Sequence, residues 1–212
     1  MAADPGPRLA IHRGYDWGRI LRVSLPNLCI AVGAGLTIPF VNLFFNSVFQ
    51  LEYRGYGVLG ALTGVLVLVG SLANPFIKRR FGYGVAILVS QSLAVFFLVL
   101  MAMTELIAPE LPEIRWLAFF CFLVRQPLMN MAGPITSDLA LSYVGERNRE
   151  IVSAIGSSLW SGSWFLSAKI FKVLRDQELE YWQIFCITAV LYSFGIFLYS
   201  SLIRAHARQA SI

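Results

Sequence analysis

Gly64-Val-Leu-Val-Leu-Val-Gly70 and Ala94-Val-Phe-Phe-Leu-Val-Leu100 present apolar side chains on every side, apart from the bounding glycines. A strand of a membrane barrel alternates polar and apolar residues, and neither run does. Lipid cannot hydrogen-bond a bare backbone, so a segment apolar all round reads as a helix that satisfies its own amides. The surrounding apolar stretches are 58–77 and 85–103, and four more run over 25–49, 116–144, 151–173 and 181–203. About 20 helical residues, at a rise near 1.5 Å each, cross the hydrocarbon layer. The expected fold is therefore all-α and polytopic, with six transmembrane helices in one domain over 21–205. A cytoplasmic N-terminal segment, 1–20, precedes it, and a cytoplasmic tail, 206–212, follows.

Composition agrees. Of 212 residues, 57% are apolar and 14% charged, with a mean hydropathy of +0.67. A water-soluble domain of this length could not cover so much apolar surface with so little polar material. The net charge of +5 sits in loops and forms no continuous stripe, which argues against nucleic acid as a partner. Cys29, Cys121 and Cys186 fall in three different apolar stretches without ligand spacing and read as small core residues. Residues 1–20 contain Pro5, Pro7 and several charges but no apolar core, so no cleaved signal peptide is expected.

The joints, 52–57, 78–84, 104–115, 145–150 and 174–180, are short, so neighbouring helices pack antiparallel. Their basic residues set the orientation. Arg8, Arg13, Arg19, Arg22, Lys78, Arg79, Arg80, Arg147, Arg149, Arg204 and Arg208 share one side. Only Arg54, Arg115, Lys169, Lys172 and Arg175 lie on the other. The positive-inside rule then places both chain ends in the cytoplasm. Asp138 and Glu146, near that side, read as solvated or salt-bridged rather than as proton carriers.

Arg125 stands apart, about nine residues into its apolar stretch, where an ionised side chain costs several kcal/mol unless it meets a partner or water. Gln126, Asn130, Asn42 and Asn46 are candidates to line one polar interior with it, and Pro127 and Pro134 would loosen the local backbone. Two readings stand side by side. Arg125 is a substrate-facing or gating cation in a cavity, or it is an architectural arginine tied to carbonyls or a neighbouring helix. Small residues recur at close-packing intervals at Gly57, Gly60 and Gly64, and at Ala154, Ser158 and Gly162. They fit packing inside the bundle or docking against another six-helix unit, with Gly60, Gly64, Ser158 and Gly162 as partner-facing candidates. Gly33, Gly35 and Pro39 would allow the first helix to bend.

No catalytic constellation emerges. His12 and His206 flank the apolar region from outside, and Ser161-Gly162-Ser163 has Leu159 where a nucleophile turn needs glycine. The chain is not expected to be an enzyme, and no metal or cofactor is expected.

Three segments resemble the second six-helix half of major facilitator superfamily transporters, over roughly residues 20–205. Leu25-Pro-Asn-Leu-Cys-Ile-Ala-Val-Gly-Ala-Gly-Leu-Thr-Ile-Pro-Phe-Val-Asn-Leu-Phe-Phe45 is similar to the family's seventh helix in drug-exporter-like members. Arg125-Gln-Pro-Leu-Met-Asn-Met-Ala-Gly-Pro134 is similar to its tenth, and Gly145-Glu-Arg-Asn-Arg149 to the turn before the eleventh. The second joint, Pro75-Phe-Ile-Lys-Arg-Arg-Phe-Gly82, keeps Arg80 and Gly82 of the family's loop signature but has Pro75 for its glycine and Arg79 for its acid. The resemblance implies a half-size secondary transporter subunit, or efflux component, in a bacterial plasma (inner) membrane. Such a subunit moves a small solute, with proton or ion coupling in some members, by alternating access against a second six-helix unit. It also implies that Arg80 and Gly82 shape a cytoplasmic gate loop, and that the second and fifth helices face the other half. That half would be a second copy or a separately encoded chain; otherwise the chain is a fragment of a full-length transporter. A different class of function is a non-transporting membrane scaffold or interaction protein that binds through its fifth helix.

Overall fold

The computed structural model of the chain describes residues 15–210, and there is no strand among them. Pro5, Pro7, Arg8, His12, Arg13 and the last two residues lie outside the described residues. Helix α1, Trp17–Thr37, starts at Asp16, whose carboxylate accepts the Arg19 backbone N–H at 3.2 Å. A 3₁₀ turn, Ile38–Phe40, separates it from α2, Val41–Phe49, at Pro39, which has no N–H to give a continuing ladder. Then follow α3, Tyr53–Tyr83, a π turn, Gly84–Val89, and α4, Ser90–Ile107. The remaining helices are α5, Arg115–Val144, α6, Arg149–Asp176, and α7, Tyr181–Ala210.

The chain reverses at Gly82, where φ is 72° and ψ is −178°, a conformation that L side chains rarely adopt. Tyr56 meets Phe122 at 6.2 Å and Lys78 meets Asp138, so α3 runs parallel to α5. Phe97 meets Phe120 at 6.0 Å, and α4 runs back antiparallel to the same helix. Gly145, at φ 75° and ψ 169°, plays the matching part between α5 and α6. With α1 and α2 as one bent rod, six helical rods result.

The six-span expectation is met only in part. Three stretches are by themselves long and apolar enough to cross a membrane: Trp17–Phe49, Tyr53–Ile107, which contains the Gly82 reversal, and Tyr181–Gln209. Helices α5 and α6 fall short because Arg125, Gln126, Asn130 and Asp138 dilute one, and serines with Lys169 and Lys172 dilute the other. The all-helical fold and its apolar spans are compatible with an integral membrane protein. So is the surface: Val58, Leu72 and Phe76 of α3 are each 70% exposed or more, an apolar coat that a water-soluble monomer does not carry.

Helix α7 packs on α1 and α4, α4 on α5, α5 on α3, and α1 on α6. The rods thus form a back pair, α4 and α7, a front pair, α1 and α5, and two flanks, α3 and α6. At one end, Phe44 gathers Phe45, Phe49, Tyr181 and Phe185 within 6 Å, and Phe40 stacks on Phe171. The Trp182 backbone N–H donates to Glu105 there at 2.5 Å. At the other end, Asp16 N–H donates to Asn148 at 3.2 Å and Arg22 donates to Ser201 at 3.3 Å, so the start of α1 and the end of α7 lie together.

Gly33 and Gly35 serve close packing instead of the expected bend, which occurs at Pro39. A Cβ at Gly33 would lie 2.7 Å from the Tyr192 ring; one at Gly35 would lie 2.6 Å from the Ser167 hydroxyl and 3.2 Å from the Ser163 carbonyl oxygen. Ser167 in turn donates to the Val32 carbonyl at 2.9 Å. Gly57, Gly60, Gly64 and Gly162 face open space, so these small residues of α3 and α6 are not spent on packing inside the bundle.

Thermal unfolding of the purified protein in detergent separates these roles. Gly35→Ala should cost about 1–3 kcal/mol by overpacking, and Gly82→Ala about 1–3 kcal/mol by backbone strain. Gly64→Ala should leave Tm unchanged or raise it, by up to about 1 kcal/mol of helix propensity.

Candidate functional site

The buried stripe of α5 runs through Ala118, Phe122, Arg125, Ala132, Ile135 and Leu139, the spacing of one helix face. Arg125 therefore points into the bundle and is 1% exposed. Its Nη1 donates to Gln126 Oε1 at 2.5 Å and its Nη2 to the Tyr192 hydroxyl at 3.5 Å; its Cζ lies 6.0 Å from the Tyr192 ring centroid. Nε has no partner, and no ion pair to Arg125 is found among the described residues. The guanidinium is thus held by neutral groups alone, an expensive arrangement at depth.

Of the other candidates, only Gln126 touches it. Asn130 is exposed and donates to the Gln126 carbonyl at 2.8 Å. Asn42 accepts from the Leu43 N–H at 2.8 Å, and Asn46 donates to the Leu51 carbonyl at 3.1 Å, satisfying backbone groups of α2 and of the joint after it. The expected polar centre is thus split between a sealed Arg125–Gln126–Tyr192 group and asparagines that serve the backbone elsewhere.

A larger polar feature lies nearer the termini. A groove of about 520 Å³ opens between α1, α5 and α6, with Tyr199 of α7 at its back. Ser24 and Asn27 of α1, Thr136 and Ser137 of α5, and Ser153 and Ser157 of α6 supply its polar lining; Val23, Leu141 and Trp160 supply apolar wall. Among the described residues no Asp, Glu, Lys, Arg or His lines it. Thr136 donates to the Gly133 carbonyl at 2.9 Å and Ser157 to the Ser153 carbonyl at 3.1 Å, which leaves the Ser157 oxygen free to accept. Asn27 makes no hydrogen bond among the described residues and offers both donors and an acceptor.

The sequence reading missed this groove, although a helical wheel carried a signal. At roughly 100° per residue, Ser153, Gly156, Ser157 and Trp160 fall on one side of α6 and Ser158 and Gly162 on the opposite side. The structure uses the first set to line the groove and leaves Ser158 and Gly162 exposed. In α1, Asn27 directly after Pro26 was an unusual polar residue in an apolar run, but nothing local tied it to α5 or α6.

At the second joint, Arg80 is exposed and Gly82 makes the reversal. The paired cation there is Lys78, whose ammonium meets Asp138 and lies 4.8 Å from the Tyr83 ring centroid. Tyr83 donates to the same carboxylate at 2.5 Å. Asp138 of α5 is therefore salt-bridged to the end of α3. With both side chains more than a third exposed, this pair contributes about 0–1 kcal/mol. No group of three or more His, Cys, Asp or Glu able to hold a metal occurs among the described residues.

The Arg125 geometry makes a stability prediction. Arg125→Met should leave Tm unchanged or raise it, because it removes a buried charge that has no acid partner. Gln126→Leu with Arg125 retained should lower stability by about 1–3 kcal/mol, because it strands the guanidinium. No protein-family model matches the chain and no curated protein matches it, so function must be read from these residues.

Proposed function

We propose that the chain is a six-span transporter half of the major facilitator type, which works against a second six-helix unit to move a small uncharged polar solute by alternating access. The groove between α1, α5 and α6 carries this reading. It offers hydroxyls and one unengaged amide at a volume within the roughly 300–1,000 Å³ of small-molecule sites. It has no ionic group to select a charged solute, so it favours a solute rich in hydroxyls or amides. Repeat-built transporters place such sites near the interface between their halves.

The flanks support the missing second unit. Helices α3 and α6 bury few residues, Leu59, Thr63 and Asn74 in one and Val152, Ser163, Ser167 and Phe171 in the other. Their outward small residues, Gly60 and Gly64 with Ser158 and Gly162, permit a close helix contact. A copy of this chain or a companion half would close the solute path. The end that gathers Arg22, Lys78, Arg147 and Arg204 is assigned to the cytoplasm of a bacterial inner membrane. Arg80 and Gly82, with the Lys78–Asp138 pair, form its gate loop. Arg125 does not line the groove; it ties α5 to α7 through Tyr192.

Reconstitution in vesicles tests the transport reading. Saturable flux of a neutral polyol should be seen, and Asn27→Leu should reduce it at least tenfold with Tm preserved. Absence of saturable flux for every neutral, cationic and anionic solute tried, with and without a co-expressed companion, would leave a scaffold instead. Single cysteines placed at Glu52 and Glu146 in a Cys29, Cys121 and Cys186 to Ala background should react with a membrane-impermeant maleimide from opposite sides. Labelling from one side would remove the six-span topology.

A further inference from the structure

A second cavity, of about 400 Å³, lies at the termini end between α1 and α7, away from the solute groove. Arg22 comes to it from α1 and Arg204 and Arg208 from α7, with Tyr143, Ser201 and Gln209 completing the polar wall. Among the described residues no carboxylate lines it. Arg22 donates to the Tyr143 hydroxyl at 3.5 Å and to Ser201 at 3.3 Å; Arg204 donates to the Ser200 carbonyl at 3.2 Å and to its hydroxyl at 3.3 Å. The Arg22 and Arg204 guanidiniums are thus oriented by neutral oxygens of the fold, and neither has an ion pair among the described residues.

Two acids of this end are engaged elsewhere, and Glu146 and Glu150 of the joint before α6 do not line the cleft. Asp16 is paired with Arg19 at 3.0 Å, and Asp138 is held by Lys78 and Tyr83. Like charges brought to one cleft repel unless an anion joins them. Arginine forks match the oxygens of a phosphate, and each keeps donors beyond those used on hydroxyls. The cleft lies about one and a half turns inside the start of α1 and about two turns inside the end of α7, the depth at which long basic side chains reach a headgroup layer.

We propose that the Arg22–Arg204 cleft is a phosphate-binding site, taking the phosphate of an anionic phospholipid or the free anion. Occupancy neutralises the repulsion between α1 and α7 and clips together the two helices that begin and end the described chain. The assignment does not depend on the transport reading; it needs only the cleft and its arginines.

Native mass spectrometry of the purified protein, titrated with phosphatidylglycerol or phosphatidylcholine, tests it. One phosphatidylglycerol per chain should be retained at concentrations where phosphatidylcholine is lost. Arg22→Gln with Arg204→Gln should weaken retention at least tenfold, whereas Arg79→Gln with Arg147→Gln, which removes the same charge at the same end, should weaken it less than threefold. Circular dichroism of each variant checks that its helices persist, and Tyr143→Phe, which frees Arg22 without changing charge, should give an intermediate loss. If inorganic phosphate raises Tm in an Arg22- and Arg204-dependent way and phosphatidylglycerol is not retained, the ligand is the free anion. Equal losses in the two double variants, phosphatidylcholine retained as well as phosphatidylglycerol, or neither lipid retention nor an arginine-dependent phosphate effect would overturn the site.

Discussion

The rest of the structure depends on the close approach of α1 to its two neighbours. Gly35 lets α6 come within contact of the α1 backbone at Ser163 and Ser167, and Gly33 gives Tyr192 of α7 a flat bed. Side chains larger than hydrogen at these positions would push the rods apart, since helices in lipid associate by packing and hydrogen bonds without a hydrophobic drive of the aqueous kind. Tyr192, seated on Gly33, is in turn what Arg125 reaches. Nearer the termini, α1 carries Ser24 and Asn27 where it lacks such glycines, and there the rods leave the groove.

Helix α6 shows how one rod serves three surfaces. Ser163 and Ser167 are buried toward α1, Ser153 and Ser157 line the groove, and Ser158 and Gly162 are exposed. Hydroxyl residues tolerate all three settings, since they can return a hydrogen bond to their own helix and still be small enough for close contact. Helix α3 has less to bury. Gly57, Gly60 and Gly64 face open space, Gly70 lies against Met131 of α5, and many large apolar residues are exposed, the composition of a rod that meets lipid on much of its surface.

The charges divide by depth. Arg125 is enclosed and held by an amide and a phenol, whereas the end shared by α1 and α7 is basic and partly open. There Lys78 finds Asp138 across helices, while Arg22 and Arg204 find only hydroxyl and carbonyl oxygens. The fold pairs Lys78 and Arg19 of this end with its own acids, and among the described residues it gives Arg22 and Arg204 none.

The sequence by itself determined the helical class, the turns near Gly82 and Gly145, and the presence of a polar break at Arg125, whereas α3 runs on through most of both joints expected around it. Each is a local property: apolar runs, turn residues and an isolated charge act within a few positions of themselves. Which small residues are buried, where the cavities lie and what each polar side chain touches were decided only by the tertiary structure. Gly33 and Gly35 read as a bend and proved to be contact points, and Asn42 and Asn46 read as lining and proved to satisfy backbone. Asn27 gains its place only because α5 and α6 converge on it. The physical reason is that a helix face acquires its meaning from the neighbour it meets, and the rotation of one rod against another is fixed by side-chain packing far apart in the chain.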